Sequence, residues 1–338
     1  MEPATPKHLK LLVVLPKQAS ELICAIAFLR ALRIPFPGCE VDVVVDRSFE
    51  SLMNLIPQVG LRYRYHFSLY PGKQGMRNMG RMIKAKQTYD YCFCLREGES
   101  VIPLIANCGA KKRIGYRLPG RKRAFNELYP LPGEMHLVEK YIRLLELYTR
   151  QRFEPDHHIP ESQLERFHLL PKKRRYRIIQ PFGDDPEKRM TEHQIHELLL
   201  ALEGLDNKLM VLTGDQFDHE RLGKLALGIS SRRVLNLAGK LQADQYVALL
   251  KYADMWIGPE SGSAHLANAM SIPALYMIQP GMSKVRGPYR GEQSMMLESR
   301  PGSTTNSHIA GIATTFPDTY ASIQTEEIIE AIGKLKKL

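Results

Sequence analysis

Long apolar runs are missing from this chain. The first one, residues 11–15, falls far short of the ~18–20 residues that a membrane-spanning helix needs. It is also too short for the apolar centre of a secretory leader, and no small-residue cleavage site follows it. No signal peptide is therefore expected. Cysteine is scarce and odd in number. The five, Cys24, Cys39, Cys92, Cys94 and Cys108, show no zinc-ligand spacing, and His157-His158 has no ligand partners at metal spacing. Cys92 and Cys94 sit in an apolar, strand-like run, so buried free thiols in a reducing cytosol are expected rather than a disulfide framework. Tandem repeats are absent as well.

What is present is an ordinary globular composition with a displaced charge. Hydrophobic residues at 44% and charged residues at 25% exclude global disorder. A length of 338 residues implies two domains. The chain has 47 Lys+Arg against 36 Asp+Glu, a formal net charge of +11. Between Arg62 and Arg123 there are 15 basic residues and three acids, Asp90, Glu97 and Glu99, a local net of +12. The excess therefore lies in the N-terminal half, and one face of it should attract an anionic partner.

Short apolar runs alternate with longer helical periodicities, which predicts an α/β protein. Strands are expected at 11–15, 40–45, 89–95 and 112–115, and helices at 20–33, 48–55, 102–106 and 135–148. Prolines at 155, 160 and 171 and the basic run 172–175 mark a linker. A second series follows, with strands at 176–180, 208–212, 234–236, 255–257 and 274–278. Its helices are expected at 191–202, 219–227, 243–252, 261–270 and 325–338. The domain boundaries read 1–155, a linker at 156–175, 176–320, and a C-terminal helix within 321–338. Ligands of such sheets bind outside the carboxyl ends of the strands.

Residues 258–270, GPESGSAHLANAM, carry the most chemistry. A carboxylate and small residues turn a short strand into a helix, whose first N–H groups and dipole suit an anion. Ser261 or Ser263 can cap it, and His265 falls in its first turn. A capped strand–helix junction with a solvated Glu260 is the plainer reading of the same residues. This segment resembles the D-S-G-x-x-H-L-x-A-A pattern of glycosyltransferase family 9, the ADP-heptose:lipopolysaccharide heptosyltransferases. Ser261, Gly262, His265, Leu266, Ala267 and Ala269 match it, and Glu260 stands in place of the usual Asp. Other segments resemble the family in the same order. They are the KRIGYR run at 112–117, the HLVEKYIRLL helix at 136–145, the EKR run at 187–189 and the LAGK run at 237–240. The likeness spans essentially the whole chain.

The resemblance implies a GT-B fold, two Rossmann-like domains facing across a cleft, with the acceptor on the N-terminal domain and the nucleotide-sugar donor on the C-terminal one. It implies an inverting, metal-independent transfer, most simply of heptose from ADP-heptose, with no cofactor. The acceptor it implies is phosphorylated lipopolysaccharide core at the cytoplasmic face of the inner membrane, where peripheral membrane contact fits. Its usual G-D pair after the first strand aligns with Ser20-Glu21, which makes Glu21 the candidate base for the acceptor hydroxyl. Lys188 aligns with the lysine that stabilises the leaving diphosphate. Gly183, Glu260, Ser261, Gly262, Ser263 and His265 are the candidate donor-binding residues. The Trp-Pro that often follows the lysine is Met190-Thr191 here, and Phe182-Gly183 replaces hydroxyl residues before it.

Lys111, Lys112, Arg113, Arg117, Arg121, Lys122 and Arg123 are the candidate acceptor or anion-binding residues. Nucleic acid is disfavoured, because no binding module accompanies the basic segment. No D-x-D follows a strand, which disfavours a metal-dependent GT-A transferase. Two acidic positions within 214–220, GDQFDHE, could hold a ribose hydroxyl, or simply shape a loop and helix start. Two further readings stay open: a catalytically silent family member that binds nucleotide sugar or glycan, and an epimerase-type enzyme sharing the architecture.

Overall fold

The computed structural model describes residues 9–56, 59–66, 72–160, 175–183, 188–230, 232–300 and 320–335, and the strand course of 305–309 and 312–316. The chain forms two compact units, Met1–His157 and His158–Leu338. Most of the expected linker, 161–174, lies outside the described residues, as do Glu187, Asp184-Asp185 and the last three residues of the expected C-terminal helix.

The first unit runs β1 (Lys10–Val14), α1 (Ala19–Cys24), α2 (Ile26–Ala31), β2 (Glu40–Asp46), β3 (Val59–Tyr65), α3 (Lys73–Lys86), β4 (Tyr91–Cys94), α4 (Ile102–Asn107), β5 (Lys112–Tyr116), β6 (Glu127–Tyr129) and α5 (Leu137–Thr149). Its strands are parallel, in the order β3-β2-β1-β4-β5-β6. Both faces of the sheet are covered, so β1 and β2 are near-continuous buried runs of Leu and Val rather than alternating ones. The helix expected over 20–33 is two short ones. At Ala25 the N–H is shared between the Glu21 and Leu22 carbonyls, at 3.0 and 3.1 Å, a local tightening that interrupts the α ladder. The helix expected at 48–55 is a 3-10 helix, Arg47–Leu55, whose start is capped by Asp46 accepting from the Ser48 N–H at 2.9 Å.

The second unit runs β7 (Tyr176–Ile179), α6 (Glu192–Leu205), β8 (Leu209–Leu212), α7 (Asp218–Leu225), β9 (Val234–Asn236), α8 (Ala243–Lys251), β10 (Met255–Pro259), α9 (Gly262–Ala269), β11 (Ala274–Ile278), α10 (Ser283–Arg286), β12 (Ser294–Glu298), an antiparallel hairpin β13 (Thr305–Ile309) and β14 (Ile312–Phe316), and α11 (Thr325–Leu335). Its main sheet has the order β12-β11-β10-β7-β8-β9. Counted within the unit this is the same 3-2-1-4-5-6 arrangement as the first sheet, so each unit is Rossmann-like. The order reverses between β1 and β4 in one unit and between β7 and β10 in the other. The crevice outside the carboxyl ends of those pairs is where such a sheet takes its ligand.

Close packing sets the second crevice. A Cβ added to Gly258 would lie 2.3 Å from the Gln180 carbonyl oxygen and 3.0 Å from the Trp256 ring. Gly258→Ala should therefore cost about 1–3 kcal/mol through overpacking and lower Tm by several degrees, read by thermal melting. An unchanged Tm would show that β7 and β10 can part without cost.

Candidate active site

The crevice of the second unit is built from two loops. The loop after β7 folds back on itself: the Gly183 N–H donates to the Lys188 carbonyl at 2.7 Å, and the Met190 N–H to the Pro181 carbonyl at 2.9 Å. A Cβ on Gly183 would sit 2.9 Å from that Lys188 carbonyl, so the hairpin-like closure needs glycine there. The closure aims Lys188 at the end of β10. Phe182 is buried, with the Arg221 guanidinium 4.6 Å and the Arg189 guanidinium 5.7 Å from its ring centroid. An aromatic side chain thus holds the position where the family resemblance has a hydroxyl.

The loop after β10 supplies the rest. The Glu260 N–H still pairs with β11, donating to the Met277 carbonyl at 2.9 Å. Ser261 is extended and caps α9, its Oγ accepting from the Ala264 N–H at 3.3 Å. Gly262 and Ser263 then form the first turn, where helix N–H groups have no partner within the helix. Burial raises the pKa of the half-buried Tyr246 phenol, and Ser263, Trp256 and Thr213 oppose that rise. Tyr246 in turn donates to Gln180 Oε1 and accepts from Trp256 Nε1, both at 3.0 Å.

Glu260 is the hub, with 2% of its surface exposed. Its Oε2 accepts from Lys188 Nζ. Its Oε1 accepts from His265 Nε2 at 2.9 Å, and Arg286 Nη1 lies 3.7 Å from the same oxygen. Because a carboxylate only accepts, the proton of that bond is on His265 Nε2. Burial would raise the Glu260 pKa, but the hydrogen bond and charge of His265 and the Lys188 ammonium outweigh it and hold the carboxyl at about 2, below its ordinary 4.5. The depressed value favours the folded state above about pH 4.5, and that contribution fades as the pH falls towards 2. It is on the order of 3 kcal/mol. Glu260→Gln should flatten the acid limb of stability over that window in chemical melts taken at stepped pH. An unaltered limb would mean that the carboxylate is not differentially stabilised.

Asp215 and Asp218 are taken up by their own turn. Asp218 Oδ2 accepts from the Asp215 N–H at 2.9 Å, and Asp215 Oδ1 accepts from the Phe217 and Asp218 N–H groups at 2.7 and 3.1 Å. Burial raises the Asp218 pKa.

In the first unit, Glu21 lies in the first turn of α1, just past β1. Arg96 follows β4, on the other side of the switch point, and is 8% exposed. Burial lowers the Arg96 pKa, opposed by Cys94 and by the negative charges of Asp46 and Glu21. Glu21, Asp46 and Arg96 thus share one electrostatic neighbourhood at the carboxyl ends of β1, β2 and β4.

The seven basic candidates do not form one solvated face. Arg121 is a correction: it is 1% exposed, donating to the Tyr116 carbonyl at 3.3 Å and to the Arg96 carbonyl, over the Phe125 ring. Carbonyls beyond the ends of β4 and β5 need donors, and a guanidinium fork supplies them. Arg113 is tied likewise to the Ala124 and Ala110 carbonyls at 2.7 and 2.9 Å. Lys111 pairs with Asp90 at 2.8 Å and Lys112 with Glu127 at 3.4 Å. Arg117, Lys122 and Arg123 are exposed. Sequence reasoning missed Arg96 and Arg286. No motif flags either, and Arg286 stands on a single turn after β11 that has no periodicity to read.

Two Rossmann-like units in series, each with its crevice at the reversal of strand order, define a GT-B protein. The chain belongs to glycosyltransferase family 9 (heptosyltransferase), whose model matches residues 76–307, and it is a glycosyltransferase. It is 24% identical over 299 residues to lipopolysaccharide heptosyltransferase 2 of Escherichia coli (strain K12), a match covering 80% of this chain and 83% of that one. Among solved structures it resembles a family 9 glycosyl transferase from Veillonella parvula DSM 2008, with a TM-score of 0.81 and 18% identity over 99% of both chains. It also resembles E. coli heptosyltransferase WaaC with ADP, with a TM-score of 0.77 and 17% identity over 97% of this chain and 100% of that one. No helix among the described residues is long and apolar enough to cross a membrane.

Proposed function

We propose that this chain is an inverting, metal-independent heptosyltransferase that moves heptose from ADP-heptose to an anionic lipopolysaccharide-core acceptor at the cytoplasmic face of the inner membrane. The observation that carries the reading is the Lys188–Glu260–His265 cluster beside the N-terminus of α9, at the second unit's switch point. A diphosphate there meets a fixed cation and free helix N–H groups, which is charge stabilisation without a metal. The WaaC structure that this chain resembles was solved with ADP, which supports the adenine nucleotide. Glu21 takes the acceptor hydroxyl's proton as the oxygen bonds to the anomeric carbon. The bond from that carbon to the diphosphate breaks, and its electron pair leaves with the nucleotide. One displacement inverts the anomeric centre. Exposed Arg117, Lys122 and Arg123 suit the phosphates of the acceptor.

A thermal-shift panel of nucleoside diphosphates and nucleotide sugars tests the donor, since a ligand of the folded state raises Tm with ln(1+[L]/Kd). ADP and ADP-heptose should stabilise most, and transfer should persist in EDTA and yield the inverted anomer by NMR. A larger shift with uridine nucleotides would overturn the donor. Binding without transfer would identify a silent member, and turnover of donor alone an epimerase-type enzyme.

A further inference from the structure

The first unit carries a charged surface outside its crevice. α3 follows β3 and returns the chain to β4, so in a parallel sheet it runs from the carboxyl ends of the strands back to the amino ends. Its buried side is Met76, Met79, Gly80 and Ile83. Gly80 lets it lie close on α4, since a Cβ there would be 2.6 Å from the Leu104 carbonyl oxygen. On the other side Lys73, Arg77, Arg81 and Lys84 are all exposed. At 3.6 residues per turn they fall within an arc of about 80°, over about 17 Å of helix. No acid stands on α3 or on α4. The turn Glu99–Val101 beside α3 has one, Glu99, which forms no ion pair with α3 among the described residues. Arg77 donates to an amide, Gln74 Oε1, at 3.1 Å. Cations nearby in the chain are balanced instead: Lys111 by Asp90, Lys112 by Glu127 and Lys140 by Glu97.

We propose that this face of α3 docks the protein on an anionic phospholipid surface, with Lys73, Arg77, Arg81 and Lys84 on the lipid phosphates. The proposal deepens the acceptor reading above and rests on it for its purpose, because an acceptor anchored in a membrane has to be met there. The shape of the charge selects the partner. A sugar phosphate held in the first crevice would lie at the carboxyl ends of the strands. The stripe runs away from that end: a Cβ on Gly109, three residues before β5, would come within 2.6 Å of Lys84 Cγ. Cations spaced along three turns match an array of phosphates rather than a single one. α3 carries no aromatic side chain on which a nucleic-acid base could stack. Met82, 48% exposed and next to Arg81, adds an apolar group suited to the headgroup boundary, and the stems of the long basic side chains lie along such a boundary with their charges outward.

The test is flotation with vesicles of phosphatidylethanolamine and phosphatidylglycerol, against vesicles of phosphatidylcholine alone. Wild type should bind the first and not the second, and should release as salt is raised. Lys73→Gln, Arg77→Gln, Arg81→Gln and Lys84→Gln combined should weaken binding about 10²–10³-fold, at about five-fold per charge. Glutamine keeps the helix propensity, and Arg77→Gln or Arg81→Gln alone, about five-fold weaker each, carries the test if the combined variant is unstable. A control removes the same charge from exposed Arg152, Lys224, Arg232 and Lys334 and should bind like wild type. The α3 variant should transfer to a soluble, delipidated core acceptor as wild type does, and more slowly to the same acceptor held in vesicles. Wild type that ignores anionic vesicles, an α3 variant that binds as wild type does, or equal loss in the control would overturn the proposal. Tighter binding to a single-stranded oligonucleotide, lost in the α3 variant, would reassign the face to nucleic acid. Wild type that docks through α3 but transfers no sugar would overturn the heptosyltransferase reading and leave this face standing.

Discussion

Glu21→Gln should lower kcat by about 10²–10⁴-fold, the usual contribution of a positioned general base, with nucleotide binding unchanged. The amide keeps the size and the hydrogen-bonding reach of the side chain but cannot accept the acceptor's proton. The residue also stands in the first turn of α1, where an acid favours the helix by only about 0.3–1 kcal/mol. If that were its whole role, Glu21→Gln would shift Tm slightly and leave turnover intact. The two outcomes differ by orders of magnitude in a single rate measurement. An active Glu21→Gln enzyme would remove the base from this position. Asp46 is then the next residue to test, because its carboxylate shares the neighbourhood of Arg96 with Glu21.

Lys188→Ala should lower kcat/KM by about 10²–10³-fold, the scale found when one preorganised group facing developing charge is removed. The substitution also strips a partner from a buried carboxylate, and breaking such a pair can cost about 3–5 kcal/mol. The two effects separate in the Glu260→Gln background. There the carboxylate no longer needs a partner, so Lys188→Ala should cost little further stability while transfer stays depressed. Residues in contact are where such cycles show coupling. Equal transfer by Lys188→Ala and wild type would reduce the lysine to a structural partner of Glu260.

Much of the fold was legible because buried parallel strands are written as compact β-branched and aliphatic runs. β9 and β11 carry the bounds expected from sequence. β3 and α3 leave no clear period in the sequence, because both lie in or beside the basic stretch. The solvent-facing side of α3 carries cations, while its buried side is only Met76, Met79, Gly80 and Ile83. An edge strand such as β3 likewise tolerates arginines that hide its period. β6 and β12 are edge strands too, with no buried residue in β6.

The same division runs through the site. Ser261, Gly262 and His265 are neighbours along the chain, so a strand–turn–helix pattern is enough to group them with Glu260. Lys188 is 72 residues from Glu260, and only the parallel pairing of β7 with β10 brings their loops together. Arg286 reaches the carboxylate from a third loop. The basic segment shows the converse. From sequence its seven cations were equivalent, whereas the fold buries Arg121 and ties Arg113 to carbonyls.

The feature missing from the start was a long apolar run, and in its place the chain has many short ones. By themselves those runs determined two α/β units, and one motif determined the helix start that suits an anion, since both depend on local period and local backbone chemistry. Tertiary structure alone decided which charges stay exposed and which are consumed inside. Whether a cation is available depends on the carbonyls and carboxylates that sheet order places around it, and those come from residues far away along the chain.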